Sequence, residues 1–296
     1  MSASVGVIGL GIMGSAISGN LMKAGIRVIG CDIDAARRAN FAAKGGEPAD
    51  TPADVVRRTD RIILSLPSVA AFDDVVSGVN GLVSTAHEGL IVIECGTLPI
   101  NVKERGRDAL AKTGAVMLDC PLSGTGAQAV AKDLAVYASG DEAAYRRCIE
   151  VFEGFARAQY HVGPFGNGSR MKFVANHLVA IHNVAAAEAM VLGMKAGLDA
   201  ALIYKVIGDG AGSSRMFEIR GPMMVEDDYS DATMKVEVWQ KDMSIIGDFA
   251  TALDCPAPLF AASGQIYNAA MAQGHARNDT AAVCAVMQEM ARLDRK

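Results

Sequence analysis

The chain has 296 residues, of which 51% are hydrophobic, and its formal net charge at pH 7 is −5. This length and apolar content suffice for a large folded core and favour two domains over one. The acidic balance, with no Lys/Arg run longer than two residues, argues against the basic surface that nucleic acid or an anionic membrane would require.

Metal and disulfide chemistry are not indicated by the pattern of cysteines and histidines. The six cysteines form no CxxC pair, and there is no HExxH motif. His177 and His182 are five positions apart, off the spacing of a helical metal-binding pair. The apolar segment 173–193 is interrupted by polar residues, which favours a buried helix over a membrane span. We therefore predict a metal-free, cytoplasmic protein, since the first strand begins too early to leave room for a secretory signal.

The first element is an apolar, strand-like run at 5–8 that leads into a glycine-rich turn and then into an amphipathic stretch. The turn reads Gly9-Leu10-Gly11-Ile12-Met13-Gly14. A strand, a tight turn and a helix start present backbone N–H groups to a pyrophosphate. In such a turn Gly9 allows the bend, Gly11 lets the phosphates approach, and Gly14 lets the helix pack closely.

The second apolar run, 27–31, ends in Asp32, which is 18 positions after Gly14 (32 minus 14). An acidic residue near this distance hydrogen-bonds the adenosine ribose hydroxyls. Its charge would repel a ribose 2′-phosphate by about 1 to 4 kcal/mol, so we predict NAD, with NADP possible. Arg37 and Arg38 are near enough to weaken this repulsion, although we expect them to lie on the solvent face of the next helix.

Strand-like and helical stretches alternate as far as residue 165. The strand-like runs are 5–9, 27–32, 61–66, 90–95, 115–120, 134–139 and 159–162. This alternation predicts an α/β fold with an N-terminal Rossmann-type, doubly wound and mostly parallel sheet. A glycine-rich hinge at 163–168 then gives way to helical periodicity alone. We predict a dinucleotide-binding domain at 1–164 and an all-helical substrate and oligomerisation domain at 165–296.

The helical domain is predicted to be built on one long central helix at 169–196. This segment is apolar around much of its circumference, which predicts burial on nearly all sides. A domain of about 130 residues is small for enclosing so long a helix, so we predict a homodimer or homotetramer. The alternative is an ordinary core helix within a monomer.

Ligands of open α/β sheets lie beyond the carboxyl ends of the strands, and three such ends carry suitable loops. Leu66-Pro67 and Thr97 are placed to frame the cofactor, with the Thr97 hydroxyl toward the nicotinamide. The loop Ser123-Gly124-Thr125 precedes helical sequence and offers N–H and hydroxyl groups to a substrate carboxylate. Each loop is equally compatible with an ordinary turn.

Lys172 is the most notable ionisable residue, because it lies in the first turn of the long apolar helix. A positive helix end and an apolar cleft both destabilise the ammonium form, which favours a role in acid–base chemistry. Asn176 follows one helical turn later on the same face. The alternative is a surface lysine whose alkyl chain covers apolar neighbours.

These motifs together resemble the β-hydroxyacid dehydrogenase family, whose members include 3-hydroxyisobutyrate dehydrogenase and tartronate semialdehyde reductase. The resemblance spans nearly the whole chain and rests on Gly9–Gly14, Leu66-Pro67, Thr97, Asp119–Gly124, Gly163–Lys172, Asn176 and Lys241-Asp242. It implies hydride transfer between a nicotinamide and a short β-hydroxy acid or semialdehyde. It also implies that Lys172 is the acid–base, that Asn176 and Ser123-Gly124-Thr125 hold substrate, and that Lys241 contacts the cofactor.

Departures from the family pattern bear on the substrate. Thr125 stands where many relatives have a second glycine, so we expect a smaller or more polar substrate than 3-hydroxyisobutyrate. Gly96 replaces a serine, and Val179 replaces the glutamate of phosphogluconate dehydrogenases. The alternatives are an imine reductase, which usually lacks the lysine, and a non-catalytic dinucleotide-binding protein. The residues that could pair with the substrate carboxylate are Arg170, Arg215 and Lys241.

Overall fold

The structure, a computed structural model, describes residues 4–294. The chain divides into two compact units, Met1–Lys172 and Phe173–Lys296. The division falls within a long helix, Asn167–Lys195, whose first residues belong to the first unit.

The main sheet of the first unit has six parallel strands in the order β3-β2-β1-β4-β5-β6. They are β1 (Ser4–Ile8), β2 (Arg27–Cys31), β3 (Glu47–Pro48), β4 (Arg61–Leu64), β5 (Ile91–Glu94) and β6 (Val116–Asp119). The chain winds outward in both directions from β1, so the strand order reverses between β1 and β4. A reversal of this kind creates the crevice in which doubly wound folds bind dinucleotides.

Helices cover both faces of this sheet, because side chains along its strands point alternately to opposite faces. The helices are α1 (Ile12–Lys23), α2 (Ala35–Ala43), α3 (Pro52–Val56), α4 (Val69–Ser77), α5 (Ile100–Ala111), α6 (Gly126–Val130), α7 (Glu142–Arg147) and α8 (Ile149–Phe155). In β4, Ile63 joins an apolar cluster that includes Phe152, whereas Ile62 and Leu64 join a second cluster that includes Phe72. The predicted doubly wound α/β fold is confirmed.

The last two predicted strands do not extend the main sheet, and this part of the prediction was wrong. These two strands, β8 (Ala135–Ala138) and β9 (Ala158–His161), form a separate sheet together with the short β7 (Leu122–Ser123). The strand order in this sheet is β7-β8-β9. β7 pairs antiparallel with β8, and β8 pairs parallel with β9. Only two residues separate β6 from β7, too few for the crossover that a further parallel strand would need. β3 and β7 were not predicted, since two-residue strands carry no periodicity.

The second unit is helical, as predicted, and its described part contains no named strand. It holds most of α9 (Asn167–Lys195) together with α10 (Ala200–Gly208), α11 (Arg215–Glu226), α12 (Val236–Ala252), α13 (Pro258–Ala272) and α14 (Val283–Met290). Asn183 on α9 is buried and donates hydrogen bonds to the Tyr267 hydroxyl at 3.1 Å and to the Thr280 carbonyl oxygen at 2.8 Å. These bonds fix α9 against α13 and the segment that precedes α14.

Within a single chain, helix α9 is not buried on nearly all sides, so burial of this extent would need contacts between subunits. Phe173, Ala187 and Met190 are buried, whereas an opposite face exposes Val174, Leu178 and Leu192 with side chains 57%, 48% and 71% exposed. Within residues 4–294, α9 is the helix that is long and apolar enough to cross a membrane by length and composition alone. A core helix passes the same test, and the hydrogen-bonded Asn183 in its middle is typical of a core helix.

The cysteines are free thiols, and all except Cys255 are buried. Burial raises the pKa of Cys31 and of Cys148 to about 11 in each case. The pKa values of Cys95 and Cys120, which follow β5 and β6 directly, are raised well above the ordinary value by burial. These thiols therefore behave as small apolar side chains.

Candidate active site

The glycine turn after β1 has the shape that the sequence predicts. Gly9 adopts a φ of +93°, and a Cβ there would collide with the Ser65 carbonyl oxygen. A Cβ at Gly14 would collide with the Gly9 carbonyl oxygen. At Gly11 the nearest atom to an added Cβ is 3.9 Å away, on Arg37. The fold itself thus requires glycine at positions 9 and 14, whereas at Gly11 it leaves space beside the backbone.

Asp32, at the end of β2, is buried against this turn. Its Oδ2 accepts a hydrogen bond from the Leu10 N–H at 2.7 Å, and its Oδ1 accepts one from the Asp34 N–H at 2.9 Å. Arg37 approaches the carboxylate at 3.4 Å, and Arg38 donates to the Asp32 carbonyl oxygen at 2.6 Å. Both arginines contact Asp32, although Arg37 is exposed, as expected of the solvent face of the next helix, and Arg38 is half-buried.

The loops after β4 and β5 lie side by side at the same edge of the sheet. A Cβ at Gly96 would lie 3.3 Å from the Leu66 carbonyl oxygen, so the loop with Leu66 and Pro67 is adjacent to the loop with Thr97. Leu66 is buried, Thr97 is half-buried and Pro67 is exposed. These residues and the glycine turn follow parallel strands and therefore share the carboxyl edge.

The loop that leads from β7 to α6 rests on the start of α1. Gly124 has a φ of +133°, and Thr125 caps α6: its N–H donates to Gln128 Oε1 at 3.0 Å, and its hydroxyl accepts from the Gln128 N–H. Asn20 on α1 donates to the Ala129 carbonyl oxygen at 2.7 Å. A Cβ at Gly126 would meet the Ile12 side chain at 2.6 Å, which places this loop beside the glycine turn.

A cluster of three charged side chains lies buried behind this edge. Lys103 on α5 contacts the Glu94 carboxylate at 2.5 Å and the Asp119 carboxylate at 2.8 Å, and all three side chains are fully buried. Lys103 also donates to the Gly96 carbonyl oxygen at 2.7 Å, while the Gly96 N–H donates to Glu94 Oε1 at 2.7 Å. The sequence analysis missed Lys103 for two reasons. Its partners are distant along the chain, and a lysine on an amphipathic helix ordinarily lies on the face exposed to solvent.

The protonation of this cluster follows from its burial. Burial raises the pKa of Glu94, and the nearby Lys103 ammonium only partly offsets that effect. For Lys103, burial acts to lower the pKa, but the carboxylates of Asp119 and Glu94 outweigh it, so the pKa is raised. Lys103 is therefore a permanent buried cation, unsuited to exchanging protons near neutral pH.

The start of α9 is attached to the same cluster. The Ser169 N–H donates to Asp119 Oδ2 at 2.7 Å, and the Ser169 hydroxyl donates to Asp119 Oδ1 at 2.9 Å. Lys172, half-buried, lies three residues further along the helix. Lys172 and the Ser123–Thr125 loop are thus both connected to the end of β6 within the first unit.

In the second unit, two of the predicted residues come together through a third. Asn176 is buried and donates to Asp242 Oδ2 at 2.9 Å, and Lys241 contacts Asp242 Oδ1 at 3.2 Å. Sequence reasoning assigned no role to Asp242, although its position beside Lys241 in the family motif was a usable signal.

The two arginines considered for the substrate carboxylate have partners within the chain: Arg170 donates to Asn167, and Arg215 pairs with Glu218. Among residues 4–294 there is no group of three or more His, Cys, Asp or Glu that could hold a metal ion.

The fold and the arrangement at the sheet edge define a dinucleotide-binding protein of the dehydrogenase class. Residues 4–163 match a family model described as the NAD binding domain of 6-phosphogluconate dehydrogenase, and residues 166–287 match one described as NAD-binding of NADP-dependent 3-hydroxyisobutyrate dehydrogenase. The chain belongs to the β-hydroxyacid dehydrogenase family, as its motifs predicted.

Individual relatives match over nearly their full length. L-threonate dehydrogenase of Cupriavidus necator is 35% identical over 284 residues, covering 96% of this chain and 95% of the relative. Mitochondrial 3-hydroxyisobutyrate dehydrogenase of Mus musculus is 30% identical, with 96% and 87% covered. A crystal structure of 3-hydroxyisobutyrate dehydrogenase from Salmonella typhimurium, 30% identical, superposes with a TM-score of 0.86, covering 96% of this chain and all of that chain. The predicted NAD(P)-dependent dehydrogenase class, acting on a short hydroxy acid, is confirmed.

Proposed function

We propose that the protein catalyses reversible hydride transfer between NAD and a short, polar hydroxy acid, with Lys172 as the acid–base. One observation carries this proposal: the first turn of α9, which bears Lys172, is hydrogen-bonded through Ser169 to the end of β6, the strand that leads into the Ser123–Thr125 loop. A proton-exchanging group and a loop suited to anions are thereby connected to one strand end.

The residues present fit a nicotinamide dinucleotide. Gly11 leaves backbone space that the fold does not fill, and Asp32 lies where the adenosine ribose would bind. We assign cofactor contacts to Gly9, Gly11, Ile12, Met13, Gly14, Asp32, Leu66, Pro67, Thr97 and Lys241. The Asp32 carboxylate favours NAD, while Arg37 and Arg38 beside it leave NADP as the weaker alternative.

When bound, the cofactor would supply the nicotinamide C4 as the acceptor of the hydride from the carbinol C–H bond in the oxidation, and as the hydride donor in the reverse direction. Lys172 Nζ takes the hydroxyl proton as the C=O bond forms, and returns it in the reverse direction. In that direction the Lys172 ammonium polarises the carbonyl oxygen, a task that a metal ion can also perform. Ser123, Gly124, Thr125 and Asn176 hold the substrate, and Arg170, Arg215 and Lys241 are the candidates for its carboxylate.

The substrate we favour is a hydroxy acid with additional hydroxyl groups. Thr125 brings a β-branched side chain and a hydroxyl to the loop, which suits a more polar substrate than 3-hydroxyisobutyrate. The similarity to an L-threonate dehydrogenase points the same way. Since Thr125 is engaged as the cap of α6, its hydroxyl keeps a proton to donate to substrate.

We further propose that residues 1–164 bind the cofactor and that residues 165–296 serve substrate binding and assembly, in a cytoplasmic homodimer or homotetramer. The exposed apolar face of α9 supports assembly, because a stripe of large apolar side chains is unusual on the surface of a monomer. Neither nucleic acid nor membrane is proposed as a partner, given the net charge of −5.

The test is a hydroxy-acid panel that includes L-threonate, 3-hydroxyisobutyrate and 2-(hydroxymethyl)glutarate, read by the absorbance of NADH. We expect turnover of at least one acid, and Lys172→Ala is expected to lower kcat by at least about 100-fold while the affinity for NADH stays within threefold. The matched control, Lys205→Ala at an exposed lysine of α10, should leave both quantities unchanged.

Two outcomes would contradict the proposal. Full turnover by the Lys172→Ala variant would remove the lysine from the mechanism. Binding of NADH without turnover of any acid would favour the non-catalytic alternative, and reduction of cyclic imines in place of semialdehydes would favour the imine reductase.

A further inference from the structure

The buried cluster of Glu94, Lys103, Asp119, Ser139 and Ser169, here termed the anchor cluster, has no part in the chemistry described above. It joins the ends of β5 and β6 to helices α5 and α9, all within the first unit. Its side chains are at most 1% exposed. Removing these charged and polar side chains from water costs free energy. Apolar side chains of similar volume at these positions would often stabilise a fold as well or better.

We propose that Ser169 and Ser139 are positioning residues that fix the first turn of α9 to the end of β6 and thereby orient Lys172 toward substrate. The inference rests on the proposed function, in which Lys172 is the acid–base. It adds the residues that decide how accurately that lysine is held.

Asp119 is the centre of the anchor cluster, because it is bonded on both sides. One of its carboxylate oxygens, Oδ1, faces Lys103 Nζ at 2.8 Å and the Ser169 hydroxyl at 2.9 Å. The other, Oδ2, accepts from the Ser169 N–H at 2.7 Å. Charge-assisted hydrogen bonds between buried groups are strong and directional. Asp119 therefore holds the helix through both a backbone and a side-chain group of one residue.

Ser139, at the end of β8, holds the preceding residue of the same turn. Its hydroxyl accepts from the Gly168 N–H at 2.9 Å and donates to the Asp119 carbonyl oxygen at 3.1 Å. A Cβ at Gly168 would collide with the Tyr137 carbonyl oxygen and lie 2.6 Å from that of Asp119. Two consecutive residues of α9 are thus bound to two strand ends, leaving the turn no room to shift.

The same cluster extends to the loop assigned to the nicotinamide. Lys103 bonds the Gly96 carbonyl oxygen, and Glu94 accepts from the Gly96 N–H, one residue before Thr97. Hydride transfer requires donor and acceptor carbons near contact distance, and a displacement of about 1 Å can cost a factor of about 100 in rate. One rigid cluster behind the edge thus sets the relative position of two loops and the lysine.

The test compares Ser169→Ala, Ser139→Ala and a control, Ser18→Ala, each in the full-length protein. Ser18 is a buried serine of α1 whose hydroxyl makes no hydrogen bond. For Ser169→Ala the Asp119 bond from the backbone N–H remains, so the helix is expected to form with a looser first turn. We expect kcat to fall by about 10- to 100-fold, with KM and NADH affinity within threefold of wild type.

Two readouts separate positioning from a general loss of structure. The primary deuterium isotope effect on kcat, measured with the acid that the panel identifies, should rise because hydride transfer becomes rate-limiting. Amide hydrogen exchange of residues 168–172, which needs no substrate, should become at least 10-fold faster in Ser169→Ala and in Ser139→Ala. The Ser18→Ala control should change neither quantity.

The inference would be overturned if both serine variants kept the wild-type values of kcat, of the isotope effect and of the amide exchange rates at residues 168–172. If Ser169→Ala fails to fold, Ser139→Ala decides the matter, because it removes the hydroxyl that links the Gly168 N–H to Asp119 and leaves both Ser169 bonds in place. Full turnover by Lys172→Ala would contradict the proposed function. If Lys172→Ala is inactive but Ser169→Ala has wild-type kcat and amide exchange, only the positioning role is refuted. If no acid is turned over, unchanged exchange at 168–172 still overturns the inference.

Discussion

Gly11 differs from its two neighbouring glycines in what a side chain at that position would meet. Gly9 and Gly14 are closed off by carbonyl oxygens of the protein itself, whereas Gly11 faces only the distant end of Arg37. A glycine without a structural need, at the start of a helix that no side chain caps, is typical of a backbone that a ligand approaches. We therefore expect the fold and the proposed cofactor site to require different glycines of the same motif.

This difference predicts opposite results for two alanine substitutions. Gly11→Ala should fold with a melting temperature close to wild type, because its φ of −70° suits alanine, yet it should weaken NADH binding by about 10-fold or more. The measurements are thermal unfolding and fluorescence titration with NADH. Gly9→Ala, at a φ of +93°, should instead be destabilised or insoluble. Equal NADH affinity in Gly11→Ala and wild type would refute the assignment.

At the scale of elements, Asp279 is the residue on which the second unit converges. It is fully buried and pairs with Arg220 of α11 at 3.0 Å. It also accepts from the Thr233 and Met234 N–H groups that precede α12, and from the Ala281 N–H that precedes α14. Burial alone would raise the pKa of Asp279, but the Arg220 guanidinium and these backbone donors outweigh it and hold the pKa below its usual value.

The sign of the pH dependence follows from that lowered pKa. A carboxylate whose folded-state pKa is depressed stabilises the fold above its unfolded pKa, near 3.8, and loses this contribution as the pH falls through the folded-state pKa. Asp279→Asn should lower the free energy of unfolding of this unit by about 3 kcal/mol at pH 7, because Arg220 is left buried without its counter-charge.

Urea unfolding measured at pH 7 and again below pH 4 checks this expectation. The gap between wild type and Asp279→Asn should narrow in acid, as Asp279 becomes protonated in the wild type. Asp248→Asn, at an exposed aspartate of α12, serves as the control and should change stability by less than about 0.5 kcal/mol. A gap that stays constant with pH would show that the charge of Asp279 is not the cause.

The elements also show how far the sequence could be interpreted. Runs such as 61–66 predict parallel strands, because buried strands are continuously apolar and bounded by turns. The anchor cluster could not be predicted in this way, because Glu94, Lys103, Asp119 and Ser169 converge only after two strands and two helices have packed. The small sheet was missed for a related reason, since its antiparallel pairing depends on the short connection after β6 rather than on the pattern within β8.

At the scale of the whole molecule, the exposed face of α9 has a regular spacing. Val174 and Leu178 are one turn apart, and Leu192 lies on the same side of the helix five turns after Val174. The stretch between them exposes Ala185 and Ala189, which would allow another helix to approach closely, and Glu188 is exposed at the edge of the same face. This geometry is typical of a helix that packs against a second copy of itself.

Leu192→Glu should therefore shift the protein toward the monomer, because a carboxylate in an apolar interface must be desolvated. Sedimentation velocity over a range of concentrations would give the masses of wild type and variant. Val79→Glu, at a 93% exposed position of the first unit, is the matched control and should keep the wild-type mass. A wild-type protein that sediments as a monomer at all concentrations, or an unaltered mass for Leu192→Glu, would contradict this arrangement.

The burial of the thiols has a chemical consequence for this sheet edge. Oxidants and alkylating agents attack the thiolate, and the thiols of Cys95 and Cys120, immediately behind the loops that frame the reaction, stay protonated and out of reach at neutral pH. Electrophiles and peroxides from solvent would meet Cys255 first, because its thiol is the exposed one. The proposed reaction forms or consumes a carbonyl compound, and burial keeps five of the six thiols away from such compounds.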